Sequence, residues 1–281
     1  MSKLTSQEVT IVTVCYKSGD VISDMINSIP IEVPIVLVDN GCAESFPDFK
    51  ERRHVTIVRL SENMGFGRGC NAGAAVASTP WIFFLNPDAR LKTGAIDALL
   101  DAAARLPSAT AFNPKILNSD GTQYFKRRSW LLPRRNRLPK GWPQTDTIVP
   151  VLSGAALFVS KEKFDLVGGF DPNIFLYHED DDLSLRLAAF GPLYFVRGAT
   201  VEHAGGHSST RSASVSRLKA FHMAQSRVYT GRKHKRRFAK LSTLMQGTLL
   251  LISPLNIFYA RRRAKAIGFI GGAIISLLRK Y

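Results

Sequence analysis

The sequence is poor in cysteine, and the few cysteines form no recognisable framework. Of its 281 residues only three are cysteine, namely Cys15, Cys42 and Cys70. An odd count without metal-ligand spacing argues against a set of disulfides and favours a reducing compartment. The N-terminal stretch MSKLTSQEVT is polar and lacks the apolar core of a secretory signal. We therefore expect a cytoplasmic protein.

Acidic residues are absent from the last part of the chain. Glu202 is the final acid, and residues 203–281 hold 16 lysines and arginines, while residues 1–202 hold 22 residues of each sign. The formal net charge of +16 therefore comes entirely from the tail. A neutral body with a basic tail predicts a catalytic or binding domain attached to a polyanionic surface.

The tail also lacks an apolar run of the roughly 20 residues that a membrane-spanning helix needs. Its two runs, Leu244–Ala260 and Ile267–Leu278, are 17 and 12 residues long, and Pro254 interrupts the first. Because basic clusters flank both runs, we expect residues 207–281 to be a helical extension that lies on an anionic membrane. The alternative is a helical subdomain that packs on the body, and both can hold together.

The first part of the chain alternates between β-rich apolar runs and helical patterns. Continuous apolar runs predict strands that are buried on both faces of a sheet, at residues 9–16, 34–40, 55–60 and 81–88. Helical patterns lie between or after some of them, at residues 20–29, 67–78 and 93–106. Thr93 is the predicted N-cap of the last helix.

This alternation predicts an α/β fold built on a single, mostly parallel sheet with helices on its faces. In such sheets ligands bind beyond the carboxyl ends of the strands. Asp39 and Asp88 both follow a predicted strand, so we expect them at the binding edge.

The composition changes at residue 126. Residues 126–140, here called the basic segment, hold seven basic residues and no acid. We interpret residues 126–148 as a basic, mobile loop between two halves of a catalytic domain, residues 1–125 and 149–206. In the second half we expect a strand at 151–160, a helix over Leu183–Phe190 and a last strand that ends in His203.

Four consecutive carboxylates precede that predicted helix: Glu179, Asp180, Asp181 and Asp182. A helix N-terminus stabilises one or two carboxylates through its N–H groups and its dipole. It explains four of them poorly, because adjacent like charges in a partly buried site repel one another. A bound cation or a proton-transfer role would relieve the repulsion, so the cluster is a candidate functional site.

Two shorter motifs also carry chemistry. Asp88 in LNPDA follows a buried strand and suits Mg²⁺ together with substrate phosphates, although Asn-Pro-Asp is also good turn chemistry by itself. The glycine-rich stretch ENMGFGRGCNAG, residues 62–73, allows a close approach of backbone N–H groups to phosphates. It follows the third strand instead of the first, which excludes the dinucleotide fingerprint, and no GKS or GKT phosphate loop is present.

Taken in order, six motifs resemble family 2 glycosyltransferases, and most of all their bacterial rhamnosyltransferase-like branch. The resemblance runs from residue 9 to about residue 210 and is carried by VDNG, ENMGFGRGCNAG, FFLNPDA, SGAALFV, VGGFDPNIFLYHEDDDLSLRL and VEHAGGHS. It implies the GT-A fold, inversion at the anomeric carbon of a nucleotide sugar, and a divalent cofactor, Mg²⁺ or Mn²⁺.

The resemblance also implies roles for individual residues. Asp88 and His203 match the metal-binding positions. Asp180 matches the general base, and Glu179, Asp182 and Arg186 match positions that orient the acceptor. Residues that match the nucleotide-sugar site are Tyr16, Asp39, Asn63, Gly65, Asn71 and Asn86. Lys17 departs from the pattern, since relatives often carry asparagine there.

The expected function is an inverting, metal-dependent transfer of a sugar to a saccharide hydroxyl in the synthesis of cell-envelope polysaccharide. The resemblance makes L-rhamnose from dTDP-rhamnose the first expectation, with UDP-linked hexoses second. The expected acceptor is lipid-linked, and the expected location is peripheral, on the inner face of the cell membrane. The sequence leaves the oligomeric state open.

Two other functions compete with this one. A nucleotidyltransferase that makes nucleotide sugars would have a similar nucleotide-binding half, but its glycine-rich signature normally follows the first strand, where this chain has TVCYKSGD. A non-enzymatic protein that binds membranes or nucleic acid would fit the sequence pI of about 10.1. The basic residues flank apolar runs and lack interleaved aromatics, so we expect no nucleic-acid partner.

Overall fold

The computed structural model describes residues 4–43, 45–49, 54–203 and 212–279. These residues form two compact units, residues 4–171 with 180–203 and residues 172–179 with 212–279, which are described separately. The predicted domain boundary at residue 206 lies outside the described residues.

The first unit is built on one sheet. Its described strands are β1 Val9–Cys15, β2 Ile35–Asn40, β3 Val55–Leu60, β4 Trp81–Leu85, β5 Ala89–Leu91, β6 Ala111–Asn118, β7 Gln123–Tyr124, β8 Thr147–Ile148, β9 Ala156–Ser160 and β10 Leu193–His203. They follow the order β3-β2-β1-β4-β9-β6-β10-β5, with β7 beside β6 and β8 beside β10.

The sheet is parallel on one side and mixed on the other. Strands β3, β2, β1 and β4 run parallel, whereas β9 lies antiparallel between β4 and β6. Strand β10 runs parallel to β6 and antiparallel to β5. The helices of this unit are α1 Gly19–Asn27, α2 Phe66–Val76, α3 Ala95–Arg105, α4 Lys161–Leu166 and α5 Glu179–Leu187. The prediction of one α/β sheet with flanking helices is confirmed.

Buried phenylalanines fill the centre of the sheet. Phe83, Phe84, Phe112 and Phe158 come from three neighbouring strands and have no exposed surface. Burying such a side chain contributes about 1.5–3 kcal/mol each, so these strand positions alone stabilise the layer strongly. The apolar runs at 9–16, 34–40 and 81–88 correspond to strands that are buried on both faces. The same prediction for residues 55–60 is wrong, because β3 lies at the edge of the sheet and its side chains are exposed or partly exposed.

Two glycines let helix α2 approach the sheet. A Cβ atom on Gly73 would lie 2.4 Å from Val12 Cγ1, and one on Gly69 would lie 2.8 Å from Val14 Cγ1. These glycines therefore serve close packing of the helix on β1. The expected close approach of backbone N–H groups to a phosphate can therefore concern only the residues of this stretch that precede Gly69.

Three local predictions differ from the structure. The helix predicted to begin at Leu183 begins at Glu179, so all four acids lie in its first turn. Gly94, in a left-handed conformation, occupies the N-cap position that Thr93 was predicted to fill. Strand β6 was not predicted, because Pro114 interrupts its pattern. Its ladder with β9 covers only Ala111 and Phe112, so the proline lies beyond it.

The second unit is helical. Its helices are α6 Ala213–Lys233, α7 Ala239–Leu251, α8 Leu255–Phe258 and α9 Ala260–Leu278. Helices α6 and α9 come into backbone contact, since a Cβ atom on Gly268 or Gly272 would lie 2.1 or 2.2 Å from a carbonyl oxygen of α6. Within the described ranges, we find no helix whose length and hydropathy would allow it to cross a membrane.

Candidate active site

The turn after β4 and the end of β10 bring a carboxylate and an imidazole together. His203 is the last residue of β10 and pairs with Ala89 across the ladder to β5. Its Nε2 atom lies 3.2 Å from Asp88 Oδ1 and 3.1 Å from Asn86 Nδ2. Both the Asp88 and the His203 side chains are largely buried, at 1% and 11% exposure. The structure thus joins His203 to Asn86 and Asp88, which lie more than 100 residues earlier in the sequence.

This pair fits a divalent ion that is completed by a substrate. Among the described residues, no group of three or more His, Cys, Asp or Glu side chains forms a metal site. Mg²⁺ commonly takes one or two protein ligands and the rest from phosphates and water, and its bonds are about 2.1 Å long. Adjacent ligands of such an ion lie about 3 Å apart, which matches the spacing of Asp88 Oδ1 and His203 Nε2.

Asp180 is held by the backbone in the first turn of α5. Its Oδ2 atom accepts the N–H of Gly154 at 3.0 Å, and its Oδ1 atom accepts the N–H of Asp181 at 2.8 Å. The side chain keeps 19% of its surface exposed. A Cβ atom on Gly154 would lie 3.3 Å from Asp180 Cβ, so only glycine fits comfortably at this contact. The carboxylate is therefore fixed in direction but reachable.

Lys126 neutralises part of the acid cluster. Its Nζ atom lies 2.6 Å from Asp180 Oδ2 and 3.0 Å from Asp181 Oδ1. Burial by itself would lower the pKa of Lys126, but the charges of Asp180 and Asp181 outweigh burial and raise that pKa above its ordinary value. The ammonium group is therefore charged at every working pH. The protein itself therefore supplies part of the positive charge that the four acids require.

The metal pair and Asp180 are attached to neighbouring residues of one segment. The N–H of Asn86 donates to the carbonyl of Ala155 at 3.0 Å, and the preceding residue, Gly154, donates to Asp180. The hydroxyl of Tyr124 also lies 3.5 Å from Ser153 Oγ, and its ring centroid is 6.1 Å from that of His203. Asp88, His203 and Asp180 are therefore connected through residues 153–155.

A second cation, Arg186, pairs with Asp182, another buried acid of α5. Asp182 has no exposed surface, and its Oδ2 atom receives Arg186 Nε at 2.9 Å and pairs with Arg186 NH2 at 2.8 Å. Arg186 also donates to the carbonyl of Val167 at 2.8 Å, which ties α5 to the end of α4. Since Asp182 is fully buried, an effect of this pair on the acceptor would act through the position of α5.

Glu179, the first residue of α5, belongs to the second unit and is buried. The two residues before it, Tyr177 and His178, both have left-handed backbones, with φ of 68° and 67°. Consecutive non-glycine residues in this region are unusual and strained, which is typical of functional segments. Burial, followed by the Glu179 charge, raises the pKa of Tyr177.

The predicted nucleotide residues at the carboxyl ends of β1 and β2 also lie close together. Asp39 is buried, and its carboxylate pairs with Arg59 NH1 at 2.9 Å and accepts the N–H of Cys42 at 3.1 Å. The next residue, Asn40, donates from Nδ2 to Asn63 Oδ1 at 3.1 Å, and that oxygen also accepts the N–H of Gly65 at 3.0 Å. This network fixes the loop between β3 and α2 against the end of β2.

Tyr16 and Lys17 follow β1 on the same edge. Tyr16 is 38% exposed, and Lys17 has a left-handed backbone with φ of 57°. Asparagine adopts this conformation more readily than lysine, which gives a backbone reason for the asparagine expected in relatives. The departure at Lys17 therefore changes the side chain without requiring a different turn.

The amide of Asn71 is bonded to the protein backbone. Its Nδ2 atom donates to the carbonyl of Phe170 at 2.8 Å, and its Oδ1 atom accepts the N–H of Phe170 at 2.9 Å. These two bonds argue that Asn71 holds the turn after α4. Its contact with the nucleotide sugar stays a prediction.

Sequence reasoning missed Lys126 as a partner of the acids. It also gave no role to Gly154, although the SGAALFV motif contains it. The signal for Gly154 was available, since a glycine directly before a strand often marks close backbone approach. Nothing local links Lys126 to residues 180 and 181, because the contact is made only when β7 joins the sheet.

Comparisons with known proteins agree with this geometry. The family model described as glycosyl transferase family 2 matches residues 10–167. N-acetylglucosaminyl-diphospho-decaprenol L-rhamnosyltransferase of Mycobacterium tuberculosis is 31% identical, over 91% of this chain and 94% of its own. Rhamnosyltransferase WbbL of Escherichia coli K12 is 30% identical, over 64% of this chain and 76% of its own.

A solved structure shares the fold. The mannosyltransferase PcManGT from Pyrobaculum calidifontis, in complex with GDP-Man and Mn²⁺, matches with a TM-score of 0.57 at 15% sequence identity. The match covers 96% of this chain and 87% of that chain. It extends over both units, and the likeness is one of fold.

Proposed function

The chain belongs to glycosyl transferase family 2, and from this premise we propose that it transfers L-rhamnose from dTDP-rhamnose to a hydroxyl of a lipid-linked saccharide with inversion. The observation that carries the proposal is the position of Asp180. Its carboxylate is fixed yet reachable and accepts the N–H of Gly154, and the next residue, Ala155, is bonded to Asn86 beside the Asp88 and His203 pair. The curated relatives support the sugar, since both are named as rhamnosyltransferases. The name of the mycobacterial relative, which includes a diphospho-decaprenol, supports a lipid-linked acceptor.

In this reaction Asp180 takes the proton of the acceptor hydroxyl. Proton removal by a positioned base contributes about 10²–10⁴-fold to such rates. The hydroxyl oxygen then attacks the anomeric carbon opposite the departing nucleoside diphosphate, which inverts that centre in one step. The N–H groups of Gly154 and Asp181 keep the carboxylate in the orientation that proton transfer needs.

Asp88 and His203 would hold Mg²⁺ or Mn²⁺, which stabilises the negative charge on the leaving diphosphate when it is bound. The Mn²⁺ in the PcManGT complex supports a divalent metal in general. In the proposed donor site, Asp39 orients the base or ribose, and the Asn63 and Gly65 loop lies beside it. Asn86 Nδ2 lies 3.1 Å from His203 Nε2, the nitrogen whose lone pair would bind the ion, so this amide contact would be given up when the ion is bound.

A donor screen tests the function. Purified protein is incubated with Mg²⁺ or Mn²⁺, a lipid diphosphate-linked N-acetylglucosamine, and one of dTDP-rhamnose, UDP-glucose or GDP-mannose. We expect a product heavier by one deoxyhexose with dTDP-rhamnose only, and thermal stabilisation of the protein by the same donor. Transfer from another donor would replace the sugar assignment. Pyrophosphate release from a sugar phosphate and a nucleoside triphosphate would favour the nucleotidyltransferase instead.

We also propose that the second unit binds an anionic membrane. Leu241, Met245 and Leu249 are spaced by four residues along α7 and are 53–64% exposed, while Phe258 on α8 is 77% exposed. Three arginines, Arg261–Arg263, follow at the start of α9, and the segment has no acid. An apolar helix face beside a basic cluster suits the interface of an anionic bilayer.

Point substitutions on this face test the membrane proposal without removing a helix. We expect a Leu249→Ser/Phe258→Ser variant to lose at least about tenfold in affinity for phosphatidylglycerol vesicles, because each apolar side chain contributes about 1.5–3 kcal/mol on burial. The measurement is co-flotation at constant salt. The matched control is Ile31→Ser, which removes a side chain that is 58% exposed on the first unit. Unchanged flotation of the double variant would show that another surface binds the membrane.

A further inference from the structure

The basic segment, residues 126–140, begins at the proposed catalytic base. Lys126, its first residue, is the residue whose ammonium group pairs with Asp180. The preceding strand β7 fixes this start, because Gln123 and Tyr124 pair with β6 in the sheet. The basic segment therefore starts next to the position that is proposed for the reacting acceptor hydroxyl.

The segment is folded back on itself and anchored. The N–H of Leu138 donates to the carbonyl of Arg127 at 3.0 Å, and Arg127 NH1 lies 3.4 Å from the carbonyl of Leu138. Between these ends, Ser129 and Leu131 are buried, at 7% and 4% exposure. A short 3₁₀ turn, Arg134–Asn136, forms the exposed part. The two ends therefore meet beside Lys126, and the charged turn projects from a fixed base.

In the described part of the chain, the exposed basic residues of the basic segment have no acidic partner. For the part of the chain that the structure describes, no carboxylate lies within ion-pair distance of the five exposed basic residues of the segment, which are Arg128, Arg134, Arg135, Arg137 and Lys140. Like charges so close together repel one another, and an anion would relieve this repulsion. Guanidinium groups in particular bind phosphate oxygens in a bidentate manner.

We propose that the basic segment is a binding site for the phosphate groups of the acceptor. This inference rests on the proposed function, in which the acceptor saccharide is linked to its lipid through phosphate. With an acceptor hydroxyl at Asp180, the phosphate on the anomeric carbon would lie about one sugar ring away, and the basic segment starts at Lys126, which contacts Asp180. The donor diphosphate belongs to the Asp88 and His203 pair, so the two diphosphates have separate sites.

A triple variant in the exposed turn, Arg134→Gln/Arg135→Gln/Arg137→Gln, tests the proposal without touching Asp180 or its partners. The assay uses a short-chain, water-soluble alkyl diphosphate-linked N-acetylglucosamine and, for comparison, the same sugar on an uncharged alkyl chain. We expect KM for the diphosphate acceptor to rise at least about tenfold, because the variant removes charge-assisted hydrogen bonds to the phosphate oxygens. KM for the uncharged acceptor and for the donor should stay unchanged.

The matched control removes three surface cations elsewhere on the same unit, Arg105→Gln/Lys161→Gln/Lys163→Gln, and should leave all these constants unchanged. A separate calorimetric titration with the alkyl diphosphate sugar, without donor, measures the site even if the donor assignment is wrong. Wild-type affinity in the triple variant would overturn the proposal. So would an equal loss for both acceptors, a rise in donor KM, or a loss that is confined to vesicle binding.

Discussion

Replacement of Asp180 by asparagine abolishes sugar transfer and leaves donor binding intact. Asparagine has nearly the same shape, and its single amide oxygen can accept one of the two N–H groups, of Gly154 and Asp181, that the carboxylate accepts. It cannot take a proton from the acceptor, and we expect turnover to fall by about 10²–10⁴-fold. Steady-state turnover and the calorimetric affinity for the donor, measured on the same preparation, give the two readouts.

Asp181→Asn is the control for this substitution. It removes the same charge one residue away and also weakens the ion pair with Lys126, whose Nζ atom lies 3.0 Å from Asp181 Oδ1. We expect this variant to keep most of its turnover. Retention of more than a tenth of wild-type turnover in Asp180→Asn would remove Asp180 from the role of base. An equal loss in both variants would show that the ion pair, and not proton transfer, is what matters.

The edge of the sheet that is proposed to bind the donor follows from sequence pattern. Continuous apolar runs that end in Asp39 and in Asn86-Pro87-Asp88 predict buried parallel strands, and β1, β2, β3 and β4 lie within a few residues of the predicted positions. The periodicity of such strands depends on burial on both faces, which is a local property of the sequence. The last strand, with His203 at its end, was predicted for the same reason.

Long-range pairing could not be predicted in this way. Strand β6 lies between β9 and β10, yet Asn113 and Pro114 interrupt its apolar pattern. The Asn113 amide is satisfied only in the fold, where Nδ2 donates to Ser153 O at 3.0 Å and Oδ1 accepts the N–H of Ser153 at 2.6 Å. A buried amide that pairs with a distant backbone looks, in the sequence, like a loop residue. Strand β6 in turn pairs with β7, which Lys126 follows closely in the sequence.

The four acids show how much of the site depends on such contacts. Their crowding predicts a compensating cation, and the protein supplies two, Lys126 for Asp180 and Asp181 and Arg186 for Asp182. The first turn of a helix adds its own stabilisation of negative charge. The pair of Asp182 and Arg186 follows from i,i+4 spacing on one helix. The partner of Asp180 and Asp181, Lys126, depends on the pairing of β7 with β6. The proposed metal pair, Asp88 and His203, is separate from this cluster.

Replacement of Asp88 by alanine removes the dependence of donor binding on metal. In the wild-type protein we expect Mg²⁺ or Mn²⁺ to increase the affinity for dTDP-rhamnose, because Asp88 and His203 would hold the ion, which would offset the negative charge of the donor diphosphate. Without the carboxylate, a single imidazole is a poor site for a hard cation. We expect the affinity in the presence of metal to fall at least about tenfold, to the value measured with a chelator. Calorimetric titration with dTDP, with and without each ion, measures this directly.

Two further variants locate the effect in the metal pair. Asp88→Asn keeps the size of a buried side chain whose carboxylate lies 3.2 Å from His203 Nε2, so a loss in this variant cannot be attributed to a cavity. Asp97→Ala removes an exposed carboxylate of α3 and should change nothing. The thermal shift that Mn²⁺ alone produces is a second readout that needs no donor, and it should disappear in both Asp88 variants. If donor affinity in Asp88→Ala still responds to Mg²⁺ as in the wild-type protein, the ion binds elsewhere, and the division of the site between Asp88 and Asp180 is wrong.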